Sequence, residues 1–298
     1  MDGILNIYKE KGFTSHDVVA KLRGILHQRK IGHTGTLDPD AEGVLPVCLG
    51  NATKLCDMLT DTSKTYQTTM ILGCVTDTQD ISGKIISEHE VAVTEQEVED
   101  IILSFIGKYD QIPPMYSAKK INGKKLYELA REGKEIERPA CAVEIYGITI
   151  DEIQLPRVTM TVSCSKGTYI RTLCHDIGNI LGCGACMETL LRTRVSMFSI
   201  EKSKKLSEIE GLQREDKLSN TLIPIEIVFH DLPLVRVSSM GNRFLYNGNP
   251  LLPSNLSEEN GERDGLVRVY DEKGQFCAVY EFDKEKQHYR PQKMFLSR

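Results

Sequence analysis

The segment Gly32-His33-Thr34-Gly35-Thr36-Leu37-Asp38-Pro39-Asp40-Ala41-Glu42-Gly43-Val44-Leu45-Pro46 gathers three glycines, two prolines, a histidine and three carboxylates into fifteen positions. Glycine opens backbone conformations closed to other residues. Pro39 fixes its own φ and biases Asp38 toward an extended conformation. One reading is a rigid loop that presents the Asp38 carboxylate for chemistry. The other is structural: Asp38 caps a helix whose first residue is Pro39, although Gly43 and Pro46 would limit that helix to about one turn.

Three further segments carry reactive or ligand-binding residue types. In Lys64-Thr65-Tyr66-Gln67-Thr68-Thr69-Met70-Ile71-Leu72-Gly73, Tyr66 falls near the start of an amphipathic strand. A phenol there can stack on a planar ligand while its hydroxyl carries a proton, or it can simply pack as strand tyrosines do. Ser165-Lys166-Gly167-Thr168-Tyr169-Ile170-Arg171 runs into a helix start, where unpaired N–H groups and the Arg171 guanidinium suit an anionic partner. From Gln111 to Tyr127, Lys119, Lys120, Lys124 and Lys125 are interleaved with Tyr116 and Tyr127, a composition that fits an RNA-contacting loop or a merely solvated one.

Other chemistries are excluded or weak. Cys183-Gly184-Ala185-Cys186, with Cys174 and His175 before it, has metal-ligand residue types but no second C-x-x-C or H-x-H pair, so no metal site is expected. There is no Walker loop, no G-x-G-x-x-G and no nucleophile elbow.

These segments need a scaffold, and the apolar spacing supplies one. Helices are expected over Ser15–Leu26 with Ser15 as cap, over Thr94–Ile106 behind a capping box, and over Thr168–Leu181. Short β-branched or alternating runs predict strands at Thr68–Leu72, Val143–Ile150 and Val158–Cys164. Past Pro224–Pro233 the turn signals Asn247-Gly248-Asn249-Pro250, Asn260-Gly261 and Glu272-Lys273-Gly274 come close together, which predicts a small all-β unit.

The chain has 298 residues, 40% apolar and 27% charged, enough for one large domain and a small companion. It has no apolar run long enough for a membrane helix and no basic-then-apolar leader, and its nine cysteines are scattered, so a reducing cytoplasm is expected. A net charge of −5 argues, taken alone, against a polyanionic partner. The charge is segregated, however. Asp77–Asp100 has eight acids against one base, most of them read as the solvated face of a helix. Lys108–Arg138 has eight bases against five acids, and Arg157–Lys205 eight against three.

Taken together, the motifs resemble the TruB-type tRNA pseudouridine synthases. The match runs through Gly32–Pro39, Gly43-Val44-Leu45-Pro46-Val47, Gly50-Asn51-Ala52-Thr53-Lys54, Lys64-Thr65-Tyr66, Pro113–Ala118, Lys166–Leu173 and Leu190-Leu191-Arg192. The family's Lys-Pro-x-Gly appears here as Lys9-Glu10-Lys11-Gly12, which bears on the local turn. The resemblance implies isomerisation of the uridine at position 55 of the tRNA T-loop, without metal or cofactor. It implies Asp38 as the nucleophilic carboxylate, Arg171 as its ion-pair partner, and Tyr66 as stacking residue and proton carrier. His33 would hold the flipped-out loop, and Tyr169 and Leu190 would line the uridine pocket. It further implies an α+β fold: a mixed, largely antiparallel sheet with flanking helices (residues 1–230), then a β-barrel-like, PUA-like RNA-binding domain (231–298). The expected partner is tRNA through its T-arm, with no membrane, no obligate protein partner and a monomeric chain. Two rivals are a tRNA-folding chaperone that acts by binding alone and a glycosidase that releases free uracil.

Overall fold

The computed structural model describes residues 1–60, 62–121, 123–257 and 264–296. Alternation of side chains builds its main sheet. In the strand Lys64–Leu72, residues Lys64, Tyr66, Thr68, Met70 and Leu72 point inward. The antiparallel neighbour Arg157–Cys164 buries Val158, Met160, Val162 and Cys164, in a register that sets Val162 opposite Tyr66 and Val158 opposite Met70. This period of two belongs to a sheet with one covered face. The cover is two helices, Glu95–Ser104 and Ile170–Ile180, which contribute Val98, Ile102, Ile170, Leu173 and Ile177 to the same core.

The sheet order is Gly3–Lys9, Glu42–Leu49, Ala185–Val195, Lys64–Leu72, Arg157–Cys164, Cys141–Gln154, Gly107–Gln111, with Ile31–His33 and Phe198–Ser199 paired to its second and third strands. Within it one described pairing is parallel, that of Glu42–Leu49 with Ala185–Val195, where Arg192 faces Gly43. The expected mixed, largely antiparallel sheet is therefore present. Gly43 has a φ of 109°, and a Cβ there would run into the backbone of Arg192, so this crossing needs glycine. Gly3–Lys9 and Glu42–Leu49 are covered on both faces. Leu5, Ile7, Leu45 and Val47 meet the helices Ser15–Leu26 and Leu206–Arg214. Ile4, Val44 and Cys48 meet a second core that includes Phe229 and, from the carboxyl-terminal part, Val279 and Phe295.

Several local expectations need correction. The helix Ser15–Leu26 is capped by Thr14, whose hydroxyl accepts the Asp17 N–H at 3.1 Å. The expected helix from Thr168 begins at Ile170, because the Thr168 hydroxyl donates to the Ser165 carbonyl at 3.0 Å instead of capping. The carboxyl-terminal unit is not all-β. Its strands Leu234–Arg236, Leu266–Tyr270, Phe276–Asp283 and His288–Met294 form an open sheet among the described residues, accompanied by the helix Ser239–Tyr246. That helix buries Gly241, Asn242 and Leu245 while Met240 and Phe244 face solvent, so no apolar period marks it in the sequence. The Asn260-Gly261 turn signal lies outside the described residues.

Candidate active site

The loop between the strands Ile31–His33 and Glu42–Leu49 is fixed by cations buried beneath it. Lys9, fully buried, donates to the carbonyls of Ala41 at 2.6 Å and Pro39 at 3.1 Å. Arg192, also buried, donates from Nε to Val44 O at 2.7 Å and from its two terminal nitrogens to Thr36 O and Gly35 O at 3.3 Å each. The Leu37 N–H donates to Ser15 Oγ at 2.9 Å. Burial pushes the Lys9 ammonium down to about 8, against the pull of Asp38 and Glu42. Asp38 lies in a turn closed by the Ala41 N–H on its own carbonyl at 3.1 Å, so the helix-cap alternative is set aside. The turn after Lys9 forms despite Glu10: Gly12, with φ 87°, donates to Pro39 O at 3.0 Å, and Glu10 pairs with Lys205 at 3.3 Å.

The first turn of the helix Ile170–Ile180 brings Arg171 to this loop. Its Nε lies 3.1 Å from Asp38 Oδ2, and Nη1 lies 3.2 Å from Asp80 Oδ2 and 3.1 Å from Thr78 O. Nη2 donates to Tyr116 O at 2.9 Å. The guanidinium is thus occupied on every side and sits between two carboxylates. Asp80 was grouped by sequence with the solvated acids of Asp77–Asp100; that reading fails here, because its other oxygen accepts from the Thr78 hydroxyl at 2.8 Å and the Ser82 N–H at 3.0 Å.

The Asp38 side chain is 42% exposed, whereas that of Arg171 is 6% exposed. Protein surrounds the carboxylate except on its open side. Desolvation therefore raises its pKa above the usual value, Arg171 opposes this, and Asp80 adds to the rise. A partly desolvated, oriented carboxylate has the character of a nucleophile. If the ionised form is the active one, kcat/KM falls as pH drops through this raised pKa, at higher pH than an ordinary aspartate would give. Asp80→Asn removes a negative neighbour and is expected to move that limb to lower pH, which a pH–rate profile reads directly.

Tyr66 is 8% exposed and stands opposite Arg192 in the sheet register. Burial raises its phenol pKa, the Arg192 guanidinium counters, and Asp38 is near enough to contribute. Leu37, Tyr66 and Ile170 share one core, against which Leu190 packs. Tyr169 precedes the helix that carries Arg171. Its N–H donates to Gln111 Oε1 at 2.7 Å, and Gln111 Nε2 donates back to its carbonyl at 3.0 Å. His33 sits at the loop's entrance, its Nδ1 accepting the Gly35 N–H at 3.3 Å and its ring edge-on to His16 at 5.3 Å. Burial, with His16 and Arg192 nearby, pushes the His33 ring's pKa down.

The four lysines are divided. They flank or form the small hairpin Lys120–Ile121 with Lys124–Lys125. Lys119 is turned onto the Cys141 thiol and Lys125 onto the Tyr127 hydroxyl at 3.3 Å, while Lys120 and Lys124 are exposed. Cys183 and Cys186 are buried in apolar surroundings, and among the described residues no group of three or more His, Cys, Asp or Glu could hold a metal. No helix among them is long and apolar enough to cross a membrane. Asp80, Gln111 and Ser15 escaped sequence reasoning, since each acts through a contact made by the fold.

Comparison with known proteins places this geometry. Residues 23–170 match the family model for the TruB family pseudouridylate synthase N-terminal domain, and residues 171–230 that for the tRNA pseudouridylate synthase B C-terminal domain. A Lachnoclostridium phytofermentans protein named tRNA pseudouridine synthase B is 52% identical, over 99% of this chain and 100% of the relative. One of the same name from Alkaliphilus oremlandii is 48% identical, over 92% and 91%. A chain in the structure of an H/ACA RNP bound to a substrate RNA containing 2'-deoxyuridine superposes with a TM-score of 0.73 at 26% identity, covering 99% of this chain and 86% of that one. A chain in a Cbf5-Nop10-Gar1 complex gives 0.73 at 27%, covering 99% and 85%. With residues 23–230 matched by two domain models of the family and near-complete alignment to relatives at about half identity, this chain belongs to the TruB family of pseudouridylate synthases.

Proposed function

We propose that the chain converts the uridine at position 55 of the tRNA T-loop to pseudouridine, as a cytoplasmic monomer without metal or organic cofactor. The observation that carries this is the Asp38–Arg171 pair at 3.1 Å beside the buried Tyr66, in a chain of this family. The target base must leave the stack to reach Asp38. The N1–C1′ bond then breaks, the uracil turns in place, C5 bonds to C1′ and the C5 proton is exchanged for one on N1, so the product has the mass of the substrate. Whether Asp38 attacks the sugar or the base, or assists a glycal path, it must be ionised and oriented, which is the work of Arg171. Tyr66 stacks on the base and carries the proton. Tyr169 and Leu190 wall the pocket, and His33 takes part in holding the flipped-out loop. We assign catalysis to residues 1–230 and additional RNA binding to the PUA-like unit 231–298.

Mapping pseudouridine in an unmodified tRNA transcript after incubation with the purified protein tests the reading. Modification at position 55 is expected; free uracil would indicate a glycosidase, and no change at any uridine would refute isomerisation. The exposed lysines offer a separate test of the RNA surface. Changing Lys120 and Lys124 together to Ala is expected to weaken tRNA binding and reduce the slope of log K against log salt by about 1 to 2, since each phosphate contact contributes about one. An unchanged slope removes the hairpin from the interface.

A further inference from the structure

The edge strand Gly107–Gln111 alternates, with Lys108 and Asp110 exposed and Tyr109 and Gln111 turned to the covered face of the sheet. Gln111, its last residue, is 1% exposed, although glutamine is a residue of the surface. Pro113 and Pro114 follow and have no N–H to give, so a ladder cannot continue along the backbone. The Gln111 side chain continues it sideways. Its Oε1 accepts the Tyr169 N–H at 2.7 Å and its Nε2 donates to the Tyr169 carbonyl at 3.0 Å, the reciprocal pair of bonds that two opposed strand residues exchange. The second hydrogen of Nε2 goes to the Tyr109 hydroxyl at 2.9 Å, which donates in turn to Asp176 at 2.7 Å. The direction of the amide follows from this chain, since turning it over would set its NH₂ against the Tyr169 N–H.

Tyr169 needs such a clamp. It stands at the start of the helix Ile170–Ile180 in an extended conformation, and its side chain makes no capping bond. Among the described residues no hydrogen bond holds its phenol, so the place of the ring follows from the backbone. Arg171, two positions on, is different. Its guanidinium is fixed by Asp38, Asp80, Thr78 O and Tyr116 O, none of which depends on the Gln111 amide.

We propose that Gln111 is a positioning residue for the reaction, acting through Tyr169: its amide sets the ring that walls the uridine pocket and has no other part in the chemistry. The inference rests on the isomerisation proposed above. A uracil cut from its sugar must turn in place and present C5 to C1′, so a wall that shifts costs rate, about 10²-fold for a displacement of 1 Å. Affinity for tRNA, which is spread over many phosphate contacts, should hardly respond.

Gln111→Met keeps the length of the side chain and loses all three bonds. In single-turnover assays on a tRNA transcript it is expected to form pseudouridine about tenfold more slowly, with Kd within about twofold of the wild type. The deciding comparison is a double-mutant cycle with Tyr169→Ala. Once the ring is gone the amide has nothing to place, so Gln111→Met should slow the Tyr169→Ala protein by less than about twofold. A full tenfold loss in both backgrounds would show that Gln111 serves the fold at large and would overturn the proposal, as would a wild-type rate for Gln111→Met. Should that variant not fold, Tyr109→Phe removes only the hydroxyl that orients the amide. It is expected to lose about threefold in the wild-type background and nothing further on Tyr169→Ala, and no loss, or an equal loss in both, overturns the proposal. The two readings fail separately. A wild type that forms no pseudouridine refutes isomerisation and this assignment with it, whereas an active wild type matched by Gln111→Met refutes the assignment alone.

Discussion

Asp38→Asn is expected to abolish pseudouridine formation, by at least about 10⁴-fold, with tRNA affinity held within about threefold. The amide keeps the shape and the turn closed by Ala41 but cannot attack or carry the negative charge. It should also leave the fold intact. The folded state holds the Asp38 carboxyl at a raised pKa, so between the unfolded and folded pKa values it binds more protons folded than unfolded. Stability from this group is present at low pH and lost as pH rises, and at neutral pH the ionised side chain is a net cost. A neutral amide removes that cost, while Arg171 keeps Asp80 at 3.2 Å. The thermal midpoint of the variant should therefore equal or exceed that of the wild type at pH 7. Measured turnover close to wild type would remove Asp38 as the nucleophile. Retained tRNA folding by an inactive variant would show that a chaperone role coexists with catalysis.

Arg171→Ala should lower kcat by about 10²–10³-fold, the effect of removing one preorganised charge partner, and change Kd for tRNA little. Its guanidinium contacts two carboxylates and two backbone carbonyls and is only 6% exposed, so it has no face left for a phosphate. Removal leaves Asp38 and Asp80 without the cation between them and is expected to lower the thermal midpoint. Arg171→Lys keeps the charge and separates folding from catalysis: it should restore much of the stability but little of the rate, because an ammonium cannot reproduce the fork that joins Asp38 to Asp80. In Arg171→Ala the acid limb of the pH–rate profile should move upward, since the group that lowers the Asp38 pKa is gone. A variant with wild-type kcat would take Arg171 out of the reaction.

What could be read from the chain depended on how local the cause was. Asp38 was legible because its loop carries its own constraints, glycines and Pro39, within a few residues. The strand of Tyr66 and the helix of Arg171 were legible from apolar periods. Asp80 was not, because it lies in the acid-rich stretch Asp77–Asp100 and the residue that gives it meaning is ninety-one positions away. Gln111 was hidden among prolines and lysines, yet its amide holds both polar groups of the Tyr169 backbone. Ser15 was read as a cap because it opens an apolar period, but Thr14 takes that role and Ser15 turns to the Leu37 backbone. The carboxyl-terminal helix was missed since its buried side presents a glycine and an asparagine beside one leucine.

The parallel pairing at Gly43 and Arg192 also bears on the order in which the molecule can assemble. The Arg192 side chain reaches carbonyls 148 to 157 residues earlier in the chain. Contacts so distant raise the contact order and form only after a large loop has closed. A chain still emerging from the ribosome can make the segment that bears Asp38 long before it can make the strand that locks it. Until then Gly43 has only one of its two strand neighbours, Lys9, leaving an unpaired edge open to wrong partners. Asp38 is thus among the first residues synthesised and, on this topology, among the last to become rigid.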